Sequence, residues 1–205
     1  MPATVVQLTE SKKQIQYLQR TFEDQQKAFS NNTMPSLTER LENLKRLKRA
    51  VLKYQDQFLD AIDRDFSCRS RDETLIAEVM PSVQGINYAM KNLKGWMKPS
   101  KRHVSVLFQP ASNEVQYQPK GVVGVIVPWN YPLFLAAGPL TAALAAGNRV
   151  MIKMSEFTPH TSALFREMIE ETFPQDLVSV VLGEADVAAE FSSKAFDHIL
   201  FTGST

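Results

Sequence analysis

From Leu37 onward, apolar residues recur every three or four positions, at Leu37, Leu41, Leu44, Leu47, Val51, Phe58 and Ile62. That spacing predicts one apolar stripe on a long helix. Ahead of it, Ser36-Leu-Thr-Glu39 matches a capping box, in which a serine hydroxyl and a glutamate carboxylate satisfy the backbone N–H groups left free at a helix start. Gln14 to Phe29 alternates at looser helical spacing, and Leu75, Ile76, Val79, Val83, Ile86 and Met90 mark another helix before Pro99. The rhythm then changes. Val104–Phe108 and Glu114–Gln118 flank a turn-forming segment and predict two short strands. Beyond residue 121, Val122–Val127, Arg149–Lys153, Val178–Leu182 and His198–Phe201 read as strands. Leu133–Ala146, Pro159–Thr172 and Ala185–Ser193 read as the helices between them.

Such an alternation is a series of βαβ units, so the chain is expected to be an α/β protein. It should carry a parallel sheet with helices on both faces and right-handed crossovers. The near-continuous apolar strands suit a sheet buried on both sides. The organisation predicted is a helical region at 1–103, a short β-hairpin at 104–120 and the βαβ region at 121–205.

Composition narrows the function classes. Of 205 residues, 44% are hydrophobic and 22% charged, which fits an ordered globular chain. The 23 basic and 22 acidic residues nearly cancel, so the basic excess of a nucleic-acid binder is missing. A single cysteine, Cys68, excludes an internal disulfide and a cysteine-based zinc site, and a reducing, cytoplasmic setting is expected. The start shows no basic segment followed by an apolar run, so no secretory signal is expected. The stretch between Lys120 and Arg149 has no charge and is long enough on paper to span a bilayer. Pro128, Asn130, Pro132, Gly138 and Pro139 interrupt it, and it reads instead as strand, turn and helix, with no membrane partner. The basic run Lys45 to Arg49 reads as a solvated helix face.

Ligands of open parallel sheets bind beyond the carboxyl ends of the strands. After the first such strand comes Pro128-Trp129-Asn130. The Asn130 amide is a non-titrating donor suited to an oxyanion; its alternative role is a helix cap. After the second come Lys153, Ser155 and Glu156. A carboxylate there suits ribose hydroxyls; the alternative is a surface ion pair. Gly183 and Glu184 follow the third. The fourth ends in Phe201-Thr-Gly203-Ser204, where free amides of a following helix would bind phosphate; the alternative is an ordinary strand-to-helix turn. His103, His160 and His198 share no metal-ligand spacing, no nucleophile elbow is present, and no metal is expected. Cys68 has arginines close by in sequence, a setting in which a thiol can be reactive, but it has no nearby histidine and reads as a structural residue at a helix end.

Three segments together, Gly121-Val-Val-Gly-Val-Ile-Val-Pro-Trp-Asn-Tyr-Pro132, Ala145-Ala-Gly-Asn-Arg-Val-Met-Ile-Lys-Met-Ser-Glu156 and Phe196-Asp-His-Ile-Leu-Phe-Thr-Gly-Ser-Thr205, resemble the aldehyde dehydrogenase superfamily. Arg69-Ser-Arg-Asp-Glu-Thr74 and Val104-Ser-Val-Leu-Phe-Gln-Pro110 look like its coniferyl-aldehyde dehydrogenase branch, close to the class 3 type. The resemblance runs from about residue 20. It implies a truncated aldehyde dehydrogenase fold with a Rossmann-like NAD(P)-binding sheet at 121–205, and oxidation of an aldehyde to the carboxylic acid. Residue by residue, it implies that Asn130 stabilises the oxyanion. Val127, Pro128 and Trp129 would line the cofactor cleft, Lys153, Ser155 and Glu156 would meet the ribose, and Gly183, Phe201, Gly203 and Ser204 would complete the cofactor site. The cysteine nucleophile and glutamate base of the family have no counterpart here. The chain is therefore expected to be an N-terminal fragment, inactive alone, of an enzyme that is a homodimer or homotetramer at full length.

Two departures bear on the site. Lys153-Met-Ser-Glu156 replaces the family's Lys-Pro-Ser-Glu, and Glu184 follows Gly183 where the class 3 type often has a second glycine. Glu156 suits the free 2′-hydroxyl of NAD and Lys153 the phosphate of NADP, so either cofactor is admitted. Two other readings compete: a noncatalytic nucleotide-binding or interaction module, and membrane association through residues 121–148.

Overall fold

A capping box starts the first predicted helix, as its sequence requires. In the computed structural model, which describes residues 3–203 with side chains from residue 10, Glu39 N–H donates to Ser36 Oγ at 3.2 Å. Ser36 N–H donates to Glu39 Oε2 at 2.7 Å. Helix α1 (Ala3–Asn31) precedes this box, and α2 (Leu37–Lys53) and α3 (Gln55–Phe66) follow it. The single long helix predicted there is thus corrected to two. The break is Tyr54, whose backbone leaves the helical region at φ −92° and ψ 4°. Its hydroxyl donates to Glu171 on a distant helix, so tertiary contact outweighs local periodicity at that point. Next come α4 (Arg71–Thr74), a π-helical turn (Leu75–Val79) and α5 (Met80–Trp96), which run on as one rod.

The antiparallel pair exists but lies elsewhere. Strands β1 (Ser100–Arg102) and β2 (Asn113–Val115) pair with Lys101 opposite Glu114. The strands predicted at 104–108 and 114–118 are corrected accordingly: Val106–Phe108 forms a 3₁₀ turn, and Val106 and Leu107 are 83% and 89% exposed. Neither strand buries a face, so burial does not specify a register.

The parallel sheet follows the prediction to within a residue or so. Its strands are β3 (Val122–Ile126), β4 (Arg149–Lys153), β5 (Val178–Val181) and β6 (His198–Phe201), in spatial order β5-β4-β3-β6. Helices α6 (Pro132–Ala146), α7 (Pro159–Thr172) and α8 (Ala185–Ser192) connect them. Alternate strand residues point to opposite faces. Val123, Val125, Val150, Ile152, Val178 and Val180 pack with Leu44, Phe58, Leu133 and Phe165. Val122, Met151 and Val181 pack with Leu18 and Phe22 of α1 and with Val187 and Phe191 of α8. The N-terminal helices and the sheet therefore share their cores. Gln25 pins α1 to the sheet, its Nε2 donating to the Val150 and Gln175 carbonyls at 3.0 Å each. Among the described residues, no helix is long and apolar enough to cross a membrane.

Helix α6 ends on Gly147, whose φ of +86° is left-handed and favours glycine. The Arg40 guanidinium covers that end, Nη1 donating to the Ala146 carbonyl at 2.9 Å.

Candidate active site

The carboxyl ends of β3, β4, β5 and β6 lie along one edge of the sheet, because all four strands run parallel. Each exit carries one of the segments singled out from sequence. Val127 N–H donates to the Lys153 carbonyl at 3.0 Å, and Thr202 N–H to the Ile126 carbonyl at 3.3 Å, so the ladder extends one step past the strands. Val127 itself is buried in the core and offers the edge only its backbone.

Asn130 stands in the turn between β3 and α6, exposed, and its side chain makes no hydrogen bond among the described residues. It does not cap α6. Tyr131 occupies the cap position, and no side chain of that residue bonds the helix start. Pro132 as first residue suits a helix start, since its missing N–H would be unpaired anyway. The free amide of Asn130 is thus available to an external acceptor. Pro128 is half-buried beside it, and Trp129 is 53% exposed with its ring 6.2 Å from that of Phe66.

What caps α6 was not foreseen. Glu78, in the π-helical turn, is fully buried, and its Oε2 accepts the Leu133 N–H at 2.8 Å and the Phe134 N–H at 3.2 Å. Its Oε1 takes Arg69 Nη1 at 3.2 Å. Burial pushes the Glu78 carboxyl above its ordinary range, and the two N–H groups and Arg69 oppose that shift. The available signal was a lone carboxylate inside the apolar run Leu75-Ile-Ala-Glu-Val-Met80.

At the end of β4, Lys153 is 2% exposed; its Nζ donates to the Met154 carbonyl at 2.6 Å and stands 3.8 Å from Glu156 Oε2. Burial lowers the Lys153 pKa, against the pull of Glu156. Buried Ser155 is engaged by the turn: its Oγ accepts Phe157 N–H at 3.3 Å and its carbonyl accepts Ser162 Oγ–H at 2.9 Å. Glu156 is the more open of the charged pair, with 35% of its side chain exposed. Gly183, after β5, has φ +140°, and a Cβ there would come within 2.6 Å of Val187 Cγ2. Packing on α8 therefore explains this glycine. Phe201 is 55% exposed at the end of β6, and its ring lies over Gly203. Ser204 lies outside the described residues.

The structure thus brings the Asn130 turn, the Lys153–Glu156 turn and the Phe201–Gly203 turn to one edge. A dinucleotide fits that edge chemically. Trp129 and Phe201 offer exposed aromatic faces at the exits of paired strands, and Glu156 offers an acceptor for hydroxyls. A separate apolar groove of 610 Å³ runs between α5 and α6, lined in part by Tyr88, Leu93, Trp96, Phe134 and Gly138; it does not include Asn130. Among the described residues, no cluster of histidine, cysteine and carboxylates is arranged to hold a metal. Cys68 is exposed, between α3 and α4.

Comparison with known proteins bears on the family and the fold. The model of the aldehyde dehydrogenase family matches residues 3–205. A probable coniferyl aldehyde dehydrogenase of Pseudomonas aeruginosa is 56% identical over the whole chain, which spans 43% of that relative's length. A substrate-bound AldH of Staphylococcus aureus superposes with a TM-score of 0.88 at 30% identity, over 91% of this chain and 40% of that one. A NAD-dependent benzaldehyde dehydrogenase of Corynebacterium glutamicum superposes at 0.78 with 25% identity, over 93% and 41%. The β3, β4 and β6 motifs, the parallel sheet that presents them and the match along nearly every residue lead to one assignment: the chain belongs to the aldehyde dehydrogenase family.

Proposed function

We propose that this chain forms the cofactor-binding and oxyanion-stabilising part of an enzyme that oxidises an aromatic aldehyde, of the coniferyl kind, to its carboxylic acid with NAD. The observation that carries the reading is the Asn130 amide, without a hydrogen-bond partner among the described residues and set in a turn that opens on the same sheet edge as Glu156.

Oxidation begins when a cysteine thiolate adds to the aldehyde carbon and negative charge gathers on the former carbonyl oxygen. In this reading, that cysteine and the glutamate that activates the hydrolytic water have no counterpart among these 205 residues. Asn130 donates its side-chain N–H to the oxygen as the charge develops. A neutral amide does this without a proton leaving or arriving, and a prepositioned donor of this type contributes roughly 3–4 kcal/mol to the transition state. A dinucleotide bound at this edge would supply the hydride acceptor. Trp129 and Phe201, at neighbouring strand exits, would hold it by their exposed rings, and Glu156 would accept its ribose hydroxyls.

The charged pair also supports NAD over NADP. The Lys153 ammonium is buried and turned onto the Met154 carbonyl, while the Glu156 carboxylate is the exposed member. A 2′-phosphate would meet a like charge there. Cytoplasmic location and assembly as a homodimer or homotetramer belong to the same proposal, as does the division into 1–103, 104–120 and 121–205.

The test is formation of reduced nicotinamide from an aromatic aldehyde. The 205-residue chain alone is expected to show no turnover. A hybrid that joins it to the remainder of the Pseudomonas aeruginosa relative is expected to turn over, with NAD preferred to NADP. Turnover by the isolated chain, or an inactive hybrid that folds and binds NAD, contradicts the proposal.

A further inference from the structure

The Asn130 side chain makes no hydrogen bond among the described residues, so something else must hold its amide in one place. Its two neighbours are both held from the helical side. Arg69, with 11% of its side chain exposed, lies with its guanidinium carbon 3.9 Å from the Phe66 ring centroid and 4.9 Å from that of Tyr131. Phe66 in turn faces Trp129 at 6.2 Å. The same guanidinium bonds Glu78, whose second oxygen takes the first two N–H groups of α6. One carboxylate and one guanidinium thus connect α6, Tyr131, Phe66 and Trp129 around the unbonded residue.

Stability alone is a weak reason for such a pair. Burying two charges is costly, and well-packed apolar residues often serve a fold equally well. What apolar residues lack is direction. A carboxylate fixed to two N–H groups sets the start of α6, and a planar guanidinium sets the tilt of the rings it lies on. The carboxylate comes from a π-helical turn, a local widening frequent at functional sites.

We propose that Glu78 and Arg69 are positioning residues that fix the Trp129-Asn130-Tyr131 turn, and through it the direction of the Asn130 amide. The inference rests on the reading of Asn130 as the oxyanion donor. Neither residue touches the reacting atoms. Both act through Asn130, so their removal should cost nothing once that amide is gone.

The experiment is a double-mutant cycle in the active hybrid enzyme. Glu78→Gln keeps the shape of the side chain but sets a donor against either Arg69 or the α6 N–H groups. It is expected to lower kcat by about 10- to 100-fold, the range for misplacing a reacting group by up to roughly 1 Å. The KM for NAD should change less than kcat, because Glu156 at the β4 exit is untouched and, of the cofactor-side residues, Trp129 alone belongs to the disturbed turn. In an Asn130→Ala background the same change is expected to lower kcat by less than about twofold. Arg69→Lys leaves the α6 cap in place and loses the planar stack; it should show the same pattern, and it decides the matter where Glu78→Gln does not fold. Two results overturn the inference: a wild-type kcat in the folded variants, or an undiminished loss in the Asn130→Ala background. A wild-type rate for Asn130→Ala alone strikes instead at the reading of Asn130 and takes the inference down with it.

Discussion

Val127 N–H is bonded to the Lys153 carbonyl at 3.0 Å, one residue past the end of β3 and at the last residue of β4. The segment carrying Asn130 and the segment carrying Glu156 therefore leave the sheet side by side, from a ladder that sets their separation. Trimming either segment should disturb what it contacts and leave the other in place.

The first prediction concerns the buried ammonium. Lys153 stands 3.8 Å from the Glu156 carboxylate, and burial lowers its pKa. Removing one partner of a buried ion pair is destabilising when the other stays buried and unpaired, but here Glu156 is partly exposed and keeps water as a partner. Lys153→Met is expected to leave the Tm unchanged or higher while weakening NAD binding by the active hybrid about tenfold, because the Glu156 carboxylate loses the ammonium that stands 3.8 Å from it. Calorimetric unfolding and NAD titration check the two halves. A drop of several degrees in Tm would show that the ammonium stabilises the fold.

Gly183 supplies the second. Its φ of +140°, and a Val187 side chain 2.6 Å from where a Cβ would stand, leave no room for a methyl group. Gly183→Ala is expected to destabilise the protein by about 1–3 kcal/mol, read by chemical denaturation. An unaffected midpoint would mean that α8 shifts freely and that the glycine answers to something other than packing.

The capping box yields a third, with a defined pH dependence. Ser36→Ala should cost about 1 kcal/mol of stability. Hydrogen bonds from Ser36 hold the Glu39 carboxyl below its ordinary value of 4.5. A carboxyl lowered on folding contributes stability that is fully present above the unfolded value and lost as pH falls through the folded one. The stability advantage of wild type over Glu39→Gln should therefore be constant near neutrality and disappear on acidification below 4.5. Urea titrations at pH 7 and pH 3 compare the two; an advantage that grows in acid contradicts the assignment.

Much of this architecture was legible in the residue pattern because each element carries its own cause. Val122–Ile126 and Arg149–Lys153 are β-rich runs buried on both faces, and Ser36 and Glu39 announce a helix start by chemistry. The break at Tyr54 was not legible, since it depends on a hydroxyl bond to Glu171, over a hundred positions away. The hairpin was misplaced because its residues bury nothing that would fix their pairing. Within the site, Asn130, Lys153 and Glu156 follow strands and so could be placed at the sheet edge. Glu78 and Arg69 act on α6 from an earlier helical segment, a contact that no spacing along the chain encodes.

The most direct measurement is kcat for aldehyde oxidation by the active hybrid enzyme with Asn130 replaced by alanine. The account predicts a loss of about 10²- to 10³-fold, the size expected for removing one oxyanion donor, with NAD affinity unchanged. A folded Asn130→Ala enzyme that turns over at the wild-type rate would contradict it.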